Sequence, residues 1–193
     1  MFSELIQLIV LFFVIVDPFM SMGLFFSATH ALKAQDRNRV ALIAISVAVI
    51  LSALFLFFGE QVLTVLQIQL NNFQIAGGII LGLLGIQMVL GQAGQESEKF
   101  SQQNARAIAA VIGTPLLTGP ATITTIIIST TKFGMLLTGI ALAIVFLFTY
   151  LLLYFSPKVT KLLGPNVTKV ITTLLGLITL VYGVAYIRTG LGF

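Results

Sequence analysis

Residues 14–23 read VIVDPFMSMG, an aspartate and a proline set inside an otherwise apolar stretch. From Leu5 to Val16 the single polar side chain is Gln7, and Leu24 to Phe26 resume the apolar run. Proline has no N–H and its ring clashes with the carbonyl four residues back, so it interrupts a helix at this point. A charge at mid-bilayer costs about 2.5–3.5 kcal/mol on insertion scales and is functional by default. The meaning of this stretch therefore turns on whether it crosses a membrane.

Composition answers that. Of 193 residues, 58% are hydrophobic and 8% charged, against about 25% charged in soluble domains. Apolar runs of about 20 residues recur along the whole length, the mark of a polytopic membrane protein. The opening MFSELIQLIV has no basic n-region and reads as a retained span, not a signal peptide. The absence of cysteine excludes disulfides and thiolate chemistry. The single histidine, His30, ends the first span near Lys33 and reads as structural; no His/Asp/Glu cluster suggests a metal. No Ser/His/Asp set or P-loop is present, so neither an enzyme nor a cofactor is expected, and any pumping would rely on gradients.

Apolar runs between polar breaks predict six spans, near Leu5–Ala28, Val40–Phe58, Phe73–Leu90, Ala107–Thr130, Gly134–Phe155 and Val167–Ile187. Of the ten Lys and Arg residues, eight fall in loops one, three and five (Lys33, Arg37, Arg39; Lys99, Arg106; Lys158, Lys161, Lys169), and only Lys132 and Arg188 lie on the other face. The positive-inside rule puts the basic loops in the cytoplasm and both termini outside, in the cell (inner or plasma) membrane. The net charge of +4 thus reports topology and not nucleic-acid binding. The lipid bilayer is the expected partner, and a homo-oligomer is compatible with the pattern.

The second half of the chain repeats the first. VIVDPFMSMG at 14–23 aligns with VIGTPLLTGP at 111–120, an offset of 97 that matches Val14, Ile15 and Pro18 with Val111, Ile112 and Pro115. Ser21 then pairs with Thr118, and Val40–Phe58 with Leu137–Phe155. The third and sixth spans align at an offset of 98, Gly78 with Gly176 and Gly85 with Gly183. An odd number of spans per repeat forces the second copy in from the opposite face. The expected fold is therefore all-α, a single transmembrane domain over 1–193 built from two inverted three-helix repeats, 1–95 and 96–193. The first helix of each repeat is broken near mid-membrane, where such folds bind their substrates.

The breaks suggest the chemistry. Asp17 can face a substrate ammonium or a coupling ion, or serve as the N-cap of a helix with Pro18 at its first position. Half-helix N-termini attract a carboxylate. In the fourth span Thr114, Thr118, Thr122, Thr125 and Ser129 share one helical face, while Gly113, Pro115, Gly119 and Pro120 shape the backbone. Thr125 and Ser129 are expected to bond the carbonyl four residues back, which leaves Thr114, Thr118 and Thr122 with Asp17 and Ser21 as the candidate contacts. Gly78, Gly82 and Gly85 form one small face, and Thr172, Gly176, Thr179 and Gly183 another, for close helix packing. Gln87 could face the cavity or a neighbouring helix, and Glu60 is expected at the interface.

Several stretches together resemble the MarC family of integral membrane proteins: DPF at 17–19, FGEQVL at 58–63, IAGGIILGLLGIQMVLG at 75–91, TPLLTGPATI at 114–123 and LLGLITLVYG at 174–183. The resemblance spans essentially the whole chain. It implies six helices in two inverted repeats within a LysE-like superfamily, and transport of small neutral amino acids such as glycine and alanine. The chain departs from the family pattern with Met20 in place of Gly, Ser21 in place of Asn and Gly23 in place of Pro. The expected function is a secondary transporter of a small zwitterion coupled to H⁺ or Na⁺. Export of another small metabolite or ion, and a non-transporting structural role, are the alternatives.

Overall fold

The structure is a computed structural model that describes residues 2–92 and 117–192. Among these residues there are seven helices and no strand: α1 (Phe2–Val16), α2 (Pro18–Thr29), α3 (Ala34–Val65), α4 (Leu70–Val89), α5 (Pro120–Phe133), α6 (Met135–Tyr154) and α7 (Ser156–Gly190). Five stretches are long and apolar enough to cross a bilayer: Phe2–Thr29, Ala34–Val65, Leu70–Val89, Met135–Tyr154 and Asn166–Gly190. Of the expected span Ala107–Thr130, the part before 117 lies outside the described residues, and α5 forms the remainder.

Two boundaries differ from the sequence expectation. With 32 residues, α3 is about 48 Å long at 1.5 Å per residue, well beyond a hydrocarbon core of about 30 Å. Its polar start, with Asp36 in the first turn, suits a helix N-terminus, so the helix continues through the headgroup region. The expected fifth loop is helical from Ser156, with Pro157 in the first turn. The interruption falls instead at Gly164, whose φ of 71° and ψ of 168° belong to a region in which glycine alone is at ease.

The broken first span runs through the middle of the bundle. Leu8, Phe12, Met22 and Phe25 are fully buried, and α1 and α2 together pack against α5, α6 and α7. The outer faces of α3, α4, α6 and α7 present exposed Ile50, Leu83, Leu147 and Val181, an apolar surface suited to lipid.

The most extensive interface is α4 against α7, and it is built on the two small faces. A Cβ placed on Gly78 would lie 2.5 Å from the Gly183 carbonyl oxygen and 2.9 Å from the Ile187 nitrogen. One placed on Gly176 would lie 3.1 Å from the Gly85 oxygen and 3.1 Å from the Val89 nitrogen. A Cβ on Gly85 would meet the Leu180 nitrogen at 2.7 Å and the Gly176 oxygen at 2.8 Å, and one on Gly183 would meet the Gly82 nitrogen and the Gly78 oxygen, both at 2.8 Å. Adding 98 to one member of each contact and subtracting 98 from the other gives another contact of the same kind. The helices cross antiparallel with Gly82 and Leu180 at the centre, and only glycine lets their backbones approach so closely.

The register differs where the broken spans dock. On α7, Gly23 of α2 lies beside Thr168. On α4, Thr124 of α5 abuts Gly77, although the shifted counterparts of that pair would be Ser27 and Leu175. Ile127 of α5 also fills the space over Gly59 of α3.

Candidate functional site

Asp17 sits at the break with φ of 38° and ψ of 77°, the left-handed region that Asp and Asn tolerate better than other side chains. Its N–H donates to the Phe13 carbonyl at 3.2 Å, and its own carbonyl accepts from the Ser21 N–H at 3.1 Å, so it belongs to both half-helices. Its Oδ1 accepts the Met20 N–H at 3.1 Å. With Pro18 at N1, this is the cap that the Asp-Pro pair predicted. The capping carboxylate occupies the N-terminus of α2, so a second anion has no place there.

The other carboxylate oxygen is met only loosely, with the Phe19 N–H and the Thr172 hydroxyl nearby. Asp17 is 1% exposed, and Oδ2 finds no hydrogen-bond partner among the described residues. The Thr172 hydroxyl of α7 stands near the carboxylate but outside hydrogen-bonding geometry, and its Oγ1 is unpaired as well. A buried charge normally finds a partner, so an unpaired carboxylate oxygen beside an unpaired hydroxyl is what a cation or ammonium would complete.

Next to this pair lies a cavity of about 350 Å³ between α2, the end of α4 and α7. Met20, Gly23, Met88, Thr160, Thr168, Lys169 and Thr172 line it. Thr160 adds a third buried, unpaired oxygen. The Lys169 side chain lies over Gly91, just beyond the C-terminus of α4, where a cation complements the helix dipole.

The remaining expected site residues divide. Ser21 is fully buried, and its hydroxyl donates to the Val16 carbonyl at 3.3 Å, bracing the end of α1. Thr118 is buried and donates to the Ala48 carbonyl of α3 at 3.2 Å. Thr122 is buried beside it on the same stripe, at 2% exposure. Thr125 bonds the Ala121 carbonyl at 2.8 Å as expected. Ser129 does not follow that expectation: its Oγ has no partner among the described residues, and it faces the Tyr186 hydroxyl. Gly119 and Pro120 start α5, which has no side-chain cap. Thr114, Gly113 and Pro115 lie outside the described residues. Gln87 and Glu60 are both exposed.

Thr172 was legible only as part of a packing face. Thr179 on that face bonds the Leu175 carbonyl at 2.9 Å, whereas Thr172 turns toward Asp17. The missed signal is position: Thr172 lies one turn before Gly176, at the end of the face nearer the basic loops. Thr160 fell in what read as a loop.

The sequence profile of the MarC family integral membrane proteins matches residues 2–192. The chain belongs to the MarC family. Relatives include the UPF0056 membrane protein of Buchnera aphidicola subsp. Baizongia pistaciae (strain Bp), 31% identical over 201 residues, which cover 98% of this chain and 93% of that protein. The UPF0056 membrane protein YhcE of Escherichia coli (strain K12) is 30% identical over 189 residues, 93% of this chain and 87% of YhcE. The UPF0056 membrane protein MJ1677 of Methanocaldococcus jannaschii is 29% identical over 187 residues, 93% of this chain and 91% of its own. No solved structure matches. In this MarC protein three residues of the first break have distinct places: Met20 and Gly23 wall the cavity, and Ser21 ties the break together.

Proposed function

We propose that this MarC protein is a secondary transporter of a small zwitterionic solute, a neutral amino acid of the glycine or alanine type, coupled to H⁺ or Na⁺. The observation that carries this reading is the divided carboxylate of Asp17: Oδ1 caps α2, while buried Oδ2 remains unpaired beside unpaired Thr172. Oδ2 would take the ammonium or the coupling ion. The uncapped N-terminus of α5, preceded by Thr118 and followed by Thr122, would attract the carboxylate.

The architecture behind this reading is six spans in two inverted repeats, 1–95 and 96–193, with the solute held where the two broken spans meet. The reciprocal glycine contacts of α4 and α7 support it, because a pseudo-two-fold axis through Gly82 and Leu180 would generate such pairs. The difference in register between α2 on α7 and α5 on α4 fits a transporter resting in one of its two access states. Eight basic residues at one end of the spans favour a cytoplasmic location for that end and outside termini, in the inner or plasma membrane. No chemical step is assigned to the chain.

The test is counterflow of labelled glycine, alanine and serine in proteoliposomes, with and without Na⁺ or a pH gradient, for wild type and Asp17→Asn. Uptake by wild type, and its loss in Asp17→Asn, is the expected result. If no neutral amino acid moves in the wild type, the substrate reading fails. Normal counterflow by Asp17→Asn would reduce the aspartate to a cap.

A further inference from the structure

The cavity beside Asp17 has features that capping and packing leave unused. Two residues that line it, Thr160 and Thr172, carry buried hydroxyl oxygens with no partner among the described residues, and Asp17, whose Oδ2 is likewise unpartnered, lies behind Thr172. Thr168, on the same wall, satisfies itself by donating to the Gly164 carbonyl at 3.1 Å. Thr160, Thr168 and Thr172 therefore form a polar strip along α7 on both sides of the Gly164 interruption. The strip runs from the end of the molecule that carries Lys33 and Lys161 inward to the break. A run of hydroxyls ending at a buried carboxylate suits a cationic group, which exchanges water for oxygens at each step. Lys169 at the mouth rejects a simple cation and attracts a carboxylate. The two signs together select a solute bearing both charges.

The opposite wall is apolar. Met20 and Gly23 lie one turn apart on α2, and Met88 closes the side from α4. A Cβ on Gly23 would point at Thr168 Cγ2 at 3.9 Å, so any larger side chain there grows into the lumen. At about 350 Å³ the space lies at the small end of ligand cavities, and Met20 and Leu24 intrude on it from the α2 side.

We propose that this cavity is the access route to Asp17 from the face carrying Lys169, and that Met20 and Gly23 set the size of the side chain that passes. The proposal rests on the transport reading and adds to it a direction, a wall and a size filter.

The chain contains no cysteine, so Thr168→Cys gives a single thiol in an otherwise unaltered protein. We expect it to react with a membrane-impermeant methanethiosulfonate in inside-out vesicles but not in right-side-out ones. Saturating L-alanine should slow the reaction about tenfold, whereas isopropylamine and propionate, each carrying one of the two charges, should slow it less than twofold. Val181→Cys, on the exposed outer face of α7 well away from the cavity, should stay unreactive. Met20→Ala should improve L-leucine competition against alanine counterflow at least fivefold, and Gly23→Leu should block both labelling and counterflow. Absence of labelling from either side, or labelling that L-alanine leaves unchanged while wild-type alanine counterflow proceeds, overturns the route and leaves the transport reading standing. Unchanged leucine competition in a Met20→Ala protein that still exchanges alanine removes the size filter. Absence of wild-type counterflow for every amino acid tried sinks both readings.

Discussion

Replacing Gly183 by alanine probes the architecture with a single methyl group. The new Cβ would sit 2.8 Å from the Gly78 carbonyl oxygen, 2.8 Å from the Gly82 nitrogen and 3.2 Å from the Gly82 Cα. All three are backbone atoms of α4, so no side chain can swing away. Ordinary contact begins at 3.4 Å, and the helices must part by about 0.6 Å along the α4–α7 interface, an overpacking that costs about 1–3 kcal/mol. Gly85→Ala meets the same obstacle from the other helix, at 2.7 Å from the Leu180 nitrogen and 2.8 Å from the Gly176 oxygen. The two substitutions should cost about the same, both within the ~1–3 kcal/mol of overpacking. Gly82→Ala lies between them in sequence yet would meet only Leu180 Cδ1 at 3.9 Å. It should be neutral or gain up to about 1 kcal/mol from helix propensity. Unfolding in mixed dodecyl-maltoside and SDS micelles, followed by far-UV circular dichroism, measures all three. Equal losses in Gly82→Ala and Gly183→Ala, or a Gly183→Ala protein as stable as wild type, would refute the close antiparallel crossing. A large loss in one of Gly85→Ala and Gly183→Ala without the other would refute its reciprocity.

Other expectations follow from single contacts. Asp17→Asn keeps an oxygen for the Met20 N–H and tolerates the left-handed backbone, so it should fold with wild-type stability; Asp17→Ala loses the cap and should unfold about 0.5–2 kcal/mol more easily in the same SDS titration. Ser21→Ala strands the Val16 carbonyl inside the bundle and should cost about 1–3 kcal/mol, read as an earlier SDS midpoint. Thr118→Val removes the tie between the segment leading into α5 and the Ala48 carbonyl of α3 while preserving shape, and a loss of about 0.5–1.5 kcal/mol is expected. Gly164→Ala forces a Cβ into a backbone conformation with φ of 71° and should cost about 1–3 kcal/mol; its thermal stability, measured by size-exclusion chromatography after heating, should fall.

Features set by local chemistry were legible from the chain itself. A proline inside an apolar run removes a backbone donor wherever the run folds, so the break at Asp17–Pro18 could be placed to the residue. Glycines at helical spacing can hardly serve anything but close approach, and both small faces meet as expected. What depends on the rotation of one helix against another was not legible. Thr172 and Thr179 lie on one face of the same helix, yet one faces a carboxylate and the other its own backbone. The stretch before Val167 reads as a loop in the sequence, but it is helical from Ser156 with its one non-helical backbone position at Gly164.

The cap and the proposed binding role of Asp17 are not competing descriptions. In the left-handed conformation at the break, the side chain reaches over the first turn of α2 and gives one oxygen to the Met20 N–H. Geometry then fixes the second oxygen on the side of α7, away from the helix it caps. Pro18 brings no N–H to the Val14 carbonyl, and the carbonyl of Val16 accepts the Ser21 hydroxyl at a long 3.3 Å, so the end of α1 adds partial negative charge at the same place. An asparagine would serve the cap equally well, but its amide would point a donor at Thr172 and at any arriving ammonium. Capping alone therefore does not account for a carboxylate at this depth in the membrane, where its charge costs about 2.5–3.5 kcal/mol. On the proposed transport reading, a cation that binds and leaves would account for it, because Oδ2 is the oxygen of Asp17 that the cap does not use.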